Sequence, residues 1–314
     1  MSTKSNEIGI SVVVCTLNRS QLLRKCLESL TNQHLSISKY EVIVVDNCST
    51  DDTDSVLQEF TSNQKNLRCF KEYQLGLSFA RNRGWKEAVG KYVAFIDDDA
   101  VAYPDWLHQI TLFAKRQPEI FVFGGPYEAY TVVTPPNWFP PEYGNFDCGL
   151  TERPLVHNEE WICGSNMIFL KDLLLRYSGF NELLGMKGNC VSYGEDTLLI
   201  QRLMDAGIIV YYVPTIKVMH LLPEYKMNLK WLLMASYRSG LNYEITFNKK
   251  YTFLDYIAII LKSLFRVLMC LLPPWRKLFR REIYYVLSPL FFGYGTLCEK
   301  IYELKAKFTR KVAI

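Results

Sequence analysis

The sequence predicts an α/β fold: a mostly parallel central sheet flanked by helices. Three observations predict it. Short β-branched runs alternate with helical patterns over the first 125 residues. The strand runs are continuously apolar rather than alternating, as expected of strands buried on both faces. Polar clusters follow the strong strands, at the sheet edge where open α/β folds bind ligands.

The elements follow in order. Ile8–Cys15 (IGISVVVC) reads as a buried strand, and Ser20–Leu30 has apolar residues at helical spacing. Glu41–Val45 is a second buried strand ending in Asp46. Asp51–Phe60 reads as a helix with acidic residues in its first turn, where the helix dipole favours them. Leu67–Tyr73 is a weaker strand, Leu77–Val89 is helical, and Tyr92–Ile96 is a third strong strand ending in Asp97. Pro104 suits the first position of another helix. Residues 126–160 hold six prolines and read as a loop-rich insertion. Trp161–Leu170 looks extended, Leu198–Leu203 helical, and Ile208–Val213 a last strand before Pro214 and His220.

With 314 residues, 49% hydrophobic and 22% charged, the composition is that of a globular protein. The net charge of +4 hides a split. Lys249–Ile314 carries 13 Lys/Arg against 4 Asp/Glu, a net of +9, whereas Met1–Asn248 carries 23 against 28, a net of −5. A nucleic-acid-binding role is therefore not expected. Nine cysteines lack paired spacing, which fits a reducing compartment. The N-terminus MSTKSNEIGI has no charged region followed by a long apolar one, so no leader and a cytoplasmic location are expected.

Asp97-Asp98-Asp99, directly after a core strand, is the sharpest chemical feature. Three adjacent carboxylates repel one another, and hard cations such as Mg²⁺ or Mn²⁺ relieve that repulsion while sharing substrate phosphates. Glu195-Asp196 follows a glycine-rich stretch, Gly185–Gly194, and opens a helix. Such a pair is often only a cap, but a carboxylate there can also act as a general base. His220, at a strand exit, is a metal candidate or a packed histidine. Arg81 lies early in its helix, where its fork of donors suits phosphate. Neither GxxxxGK[ST] nor GxGxxG occurs, which argues against a kinase-like cradle or a dinucleotide site.

The segments SVVVCTLNR, EVIVVDNCSTDDT, GLSFARNRGWKEAVGKYVAFIDDDA, GSNMIFLK and GEDTLLIQRL stand in the order typical of family 2 glycosyltransferases, which the chain resembles over roughly residues 8–225. The resemblance implies a GT-A, Rossmann-like fold and a nucleotide-sugar donor, UDP-, GDP- or dTDP-linked. It implies that Thr16, Asn18 and Arg19 line the nucleotide pocket, that Asp46 contacts base or ribose with Ser49 nearby, and that Arg81 reaches base or diphosphate. The family's DxD pattern falls on Asp97 and Asp99: Asp97 faces the ribose, Asp99 binds Mn²⁺ or Mg²⁺, and Asp98 joins the donor site. The ED motif makes Asp196 the base, beside Glu195. His220 matches a histidine that many members use as a further metal ligand. Trp161, Gly164, Ser165 and Asn166 would border donor sugar and acceptor. The implied reaction is metal-dependent, inverting transfer to a hydroxyl of a lipid-linked or growing surface glycan. The alternatives are a nucleotidyltransferase of similar fold and an inactive glycan-binding scaffold.

The sequence divides into a catalytic part, 1–248, and a basic tail, 249–314. Within the catalytic part, about 8–125 would bind nucleotide and about 126–248 would serve the acceptor. In residues 253–272, Asp255, Lys262 and Arg266 fall within about 40° of one another on a helical wheel. That stripe suits an in-plane interfacial helix better than a span. Residues 283–298 are apolar but short for a span of about 20 residues. The tail therefore predicts peripheral binding to the anionic inner face of the plasma membrane. A helical cap on the catalytic part, or an oligomer interface, is the competing use.

Overall fold

The computed structural model describes residues 9–188, 194–241, 252–271, 283–285, 287–298 and 300–301. The chain divides into two compact units, Met1–Tyr130 with Gly144–Leu221, and Thr131–Tyr143 with Leu222–Ile314. The functional boundary expected near Asn248 lies outside the described residues.

The first unit is built on an eight-stranded sheet in the order β3-β2-β1-β4-β9-β6-β10-β8. Strands β1 (Ile10–Thr16), β2 (Tyr40–Asp46), β3 (Leu67–Lys71) and β4 (Tyr92–Asp97) are mutually parallel. Their crossovers are α1 (Ser20–Thr31), α2 (Thr53–Asn63) and α3 (Leu77–Glu87). Val12 and Val14 on β1 join one core with Leu23, Leu27, Val42 and Val44, while Val13 joins the other with Ile43, Val45 and Trp85. Side chains alternate across a strand, so the unbroken VVV run feeds both cores. Gly84 lets α3 lie close on β1, since a Cβ there would fall 2.3 Å from Val13 Cγ1.

The helix near Pro104 starts later than expected. It is α4 (Trp106–Arg116), with Asp105 at its N-cap, and Trp106 is fully buried. Truncating such a core aromatic typically costs about 3–5 kcal/mol. The far half of the sheet is β6 (Val122–Gly124), β8 (Arg153–Pro154), β9 (Met167–Leu170) and β10 (Val210–Tyr212), with β9 antiparallel to both β4 and β6. Only Met167–Leu170 of the extended 161–170 stretch is strand, because Gly164–Asn166 forms a 3₁₀ turn. Helix α5 (Lys171–Arg176) follows, and α6 (Glu195–Asp205) covers this half.

A small second sheet, β5-β11-β7, was not legible in the sequence. Its strands β5 (Ala100–Ala102), β7 (Tyr127–Tyr130) and β11 (Val218–Leu221) are three or four residues each, too short to show a period. It matters for the site. β5 directly follows the aspartate triplet, and its pairing with β11 sets His220 opposite Ala100.

In the second unit, α7 (Leu229–Leu241) packs against a helix at 287–298 through reciprocal glycines. A Cβ on Gly240 would fall 2.1 Å from Phe292 O, and one on Gly295 2.1 Å from Tyr237 O. Helix α8 (Phe253–Leu271) buries Tyr256 and sets Ile259 against Gly293. Its first turn is a capping box, with Thr252 N donating to Asp255 Oδ2 at 2.7 Å. Asp255 of the expected charged stripe is thus a cap. The Arg266 side chain lies outside the described residues. Leu254, Leu261, Leu264, Phe265 and Leu268 of α8 are exposed. Among the described residues no helix is long and apolar enough to cross a membrane.

Candidate active site

The loops after β1 and β2 turn sharply and are tied together. Asn18 and Cys48 both adopt left-handed backbone, with φ of 55° and 70°. Asn18 N donates to Ser49 Oγ at 2.9 Å, and Thr50 N donates to Asn18 Oδ1 at 2.6 Å. Asp46, buried at the end of β2, accepts from Ser49 N at 3.0 Å. Thr16, Asn18, Arg19, Asp46 and Ser49 therefore share one edge, at the carboxyl ends of parallel strands. Asn47, part of the polar run after β2 but without a role legible in the sequence, is a loop anchor. It accepts from Gly76 N at 2.8 Å and donates to Glu72 O and Gln74 O, which fixes the loop leading into α3.

The aspartate triplet splits three ways. Asp98 is buried, accepting from Thr16 Oγ1 at 2.7 Å and Arg19 Nη1 at 3.0 Å. Burial, reinforced by Asp99, outweighs Arg19 and pushes its pKa up to about 7. Asp99 turns one oxygen to Arg19 Nη1 at 3.0 Å and the other to His220 Nε2 at 3.2 Å. Asp97 faces Arg81 Nη2 at 3.1 Å and His220 Nε2 at 3.6 Å. Burial acts to raise Asp97, but His220 and Arg81 prevail and hold it well below the carboxylate range.

Asp97, Asp99 and His220 can each turn a ligand atom to one point, those atoms lying within 4.8 Å of one another. Asp97, which the resemblance implies faces the ribose, lies within this group. His220 Nδ1 lies 3.2 Å from Leu221 O, the second contact that fixes a ligating imidazole. Two carboxylates and an imidazole form a donor set that fits a hard or borderline divalent cation.

Glu195 and Asp196 open α6 but face different groups. Glu195 is buried and accepts from Arg81 Nη1 at 2.7 Å. Burial and the neighbouring Asp196 raise its pKa to about 7 against the pull of Arg81. Asp196 is more open, accepting from Gly164 N at 2.8 Å and Thr197 N at 2.7 Å. Gly164 thus stands at the site. Asn166 is enclosed elsewhere, accepting from Trp106 Nε1 at 2.9 Å and donating to Pro126 O and Ile216 O. Ser165 is likewise fully buried. Trp161 is half-buried against Phe146, which stacks on Tyr127, whose ring lies 5.2 Å from that of His220. Tyr127 and Phe146 were missed, sitting in the proline-rich insertion without a local motif.

The profile of Glycosyl transferase family 2 matches residues 11–177. A glucosyl-dolichyl phosphate glucuronosyltransferase of Haloferax volcanii is 30% identical over 238 residues, 74% of this chain and 75% of that protein. A GalNAc(5)-diNAcBac-PP-undecaprenol beta-1,3-glucosyltransferase of Campylobacter jejuni is 38% identical over 92 residues, 29% of each chain. Among solved structures, the mannosyltransferase PcManGT of Pyrobaculum calidifontis, in complex with GDP-Man and Mn²⁺, superposes with a TM-score of 0.60 at 16% identity, covering 92% of this chain and 86% of that one. S. aureus TarS 1–349 with UDP-GlcNAc gives 0.55 at 18% identity, over 95% and 92%. The fold is that of GT-A glycosyltransferases, and the matched profile, together with a relative aligned over three quarters of both chains, sets the nucleotidyltransferase alternative aside. The chain belongs to glycosyl transferase family 2.

Proposed function

We propose that this glycosyltransferase is a cation-dependent, inverting enzyme that moves a sugar from a nucleotide-sugar to a hydroxyl of a lipid-linked or growing surface glycan. The observation that carries the reading is the pairing of two carboxylate sites bridged by one arginine. Asp97 and Asp99 stand with His220, and Asp196 opens α6 with its carboxylate aimed by Gly164 N and Thr197 N. A Mn²⁺ or Mg²⁺ ion held by Asp99 and His220, with Asp97, would supply charge neutralisation of the leaving diphosphate.

The chain's own residues do the rest. Thr16, Asn18, Asp46 and Ser49 receive the nucleoside, and the partly exposed Arg19 faces the diphosphate with Asp98 behind it. Asp196 takes the proton of the acceptor hydroxyl. That oxygen bonds to the anomeric carbon as the bond to the diphosphate oxygen breaks, so the configuration inverts and nucleoside diphosphate leaves. The half-buried Trp161 and the backbone at Gly164 border the sugar.

Asp196→Asn should lower turnover about 1000-fold, the middle of the range for a general base, with donor affinity nearly unchanged in a calorimetric titration. Loss of donor binding contradicts this role. The acceptor class is supported by the relatives, whose names specify dolichyl- and undecaprenol-linked substrates. A peripheral location on the inner face of the plasma membrane is supported by the exposed apolar residues of α8 and the +9 tail. If a chain truncated at Asn248 still pellets with membranes, that location for the anchor is wrong.

A further inference from the structure

Arg81 differs from Arg19 in one decisive respect. The Arg19 side chain is 39% exposed, that of Arg81 4%. Both primary nitrogens of Arg81 are engaged, Nη1 with Glu195 Oε1 at 2.7 Å and Nη2 with Asp97 Oδ1 at 3.1 Å. The guanidinium lies over the Phe180 ring, 5.5 Å from its centroid. Its helix is stitched to the segment leading towards Asp196, through Asn82 Nδ2 to Phe180 O at 2.9 Å and Ser78 Oγ to Leu184 O at 2.8 Å. Turning Arg81 out to a phosphate would strip the buried Glu195 carboxyl of its guanidinium partner beside Asp196, a costly arrangement.

Gly164 shows how closely the base is set against this arginine. A Cβ there would fall 2.5 Å from Arg81 Nη2 and 2.9 Å from Asp196 Oδ2. The same residue's N–H donates to Asp196 Oδ2. No positive φ excludes a side chain at Gly164; the arginine and the base do.

We infer that Arg81 is an internal strut rather than a donor ligand. Its fork holds Asp97, on the cation side, in fixed register with Asp196, on the acceptor side. Glu195 acts only through Arg81 and is a positioning residue. This assignment rests on the transferase reading above. It revises the role that family resemblance implies for Arg81, contact with base or diphosphate.

The test compares wild type, Arg81→Lys, Glu195→Gln, Gly164→Ala and the Arg81→Lys/Glu195→Gln double variant. Turnover is nucleoside diphosphate released from the nucleotide-sugar, and affinity is calorimetric titration with UDP, GDP or dTDP in the presence of Mn²⁺. Lysine keeps the charge but cannot bond two carboxylates through a rigid fork. Arg81→Lys should lose about 100-fold in turnover, the scale of a small misplacement of reacting groups, with Kd within about threefold. Glu195→Gln and Gly164→Ala should show the same split, and the double variant should fall no more than about threefold below Arg81→Lys. Should Arg81→Lys fail to fold, Gly164→Ala carries the test, because it leaves every charge in place. A tenfold weaker Kd in Arg81→Lys makes Arg81 a donor ligand and overturns the assignment, as do fully additive losses. A wild-type chain that binds none of the three diphosphates with Mn²⁺ and releases none overturns the transferase reading, and this assignment with it.

Discussion

Strands β1, β2 and β4 meet a charged network at each end, and the two networks balance charge differently. At the amino ends, buried Glu41 accepts from Ser11 Oγ at 2.5 Å, Val89 N at 2.8 Å and Arg68 Nε at 2.9 Å. Ser11 Oγ in turn accepts from Gly90 N. One carboxylate meets one guanidinium, and neutral donors fill the remaining positions. At the carboxyl ends, Asp97, Asp98, Asp99 and Glu195 share Arg19, Arg81 and His220, and Asp196 adds a further carboxylate held by Gly164 N and Thr197 N. The first network is closed and needs nothing from solution. The second sets more carboxyl groups than cationic partners in buried or half-buried positions, an imbalance that a divalent cation would relieve. Burial of charge alone does not mark a functional site; the imbalance does.

That contrast breaks most visibly at Asp99. Asp99→Asn should cost about 1000-fold in turnover, as expected when a metal ligand is lost at a charge-stabilising site. It should also abolish the Mn²⁺-dependent rise in melting temperature. A variant with full Mn²⁺ response would remove Asp99 from the cation site.

Glu41→Gln probes the other end. It should destabilise by about 2–3 kcal/mol, the scale for disrupting a buried hydrogen-bonded charge, measured by urea unfolding. Turnover per folded molecule should be unchanged. A specific loss of turnover would mean that the two ends are coupled.

A smaller effect separates the ends by pH. Asp98 and Glu195 hold their protons to about pH 7 in the folded chain. Between the ordinary carboxylate range and pH 7 the folded chain therefore binds more protons than the unfolded one. Stability contributed by these two groups falls as pH rises through that window. Asp97, held low, works in the opposite sense, its contribution being lost only in acid. Metal-free protein should lose stability from pH 5 to pH 8, and Asp98→Asn should shrink that loss. An unchanged slope in the variant would place the titration elsewhere.

Much of this was legible before any coordinates. The VVV and EVIVV runs and the YVAFI run are long and apolar enough to announce buried strands, and polar residues directly after them mark the ligand edge. What stayed hidden is pairing between distant short pieces. β11 has four residues, and only its place between β5 and β7 reveals why His220 meets Asp97 and Asp99. The Arg81–Glu195 pair spans 114 positions, with no local pattern to announce it. Asn166 looked like part of the same GSN motif as Gly164, yet the 3₁₀ turn sends its side chain to Trp106 while the Gly164 backbone meets Asp196.

The most direct measurement is nucleoside diphosphate release from UDP-, GDP- and dTDP-sugars, with and without Mn²⁺, by wild type and Asp196→Asn. The account predicts cation-dependent release from at least one donor by wild type, and release about 1000-fold lower in the variant despite equal donor binding. Release that needs no divalent cation, or that survives in Asp196→Asn, would contradict it.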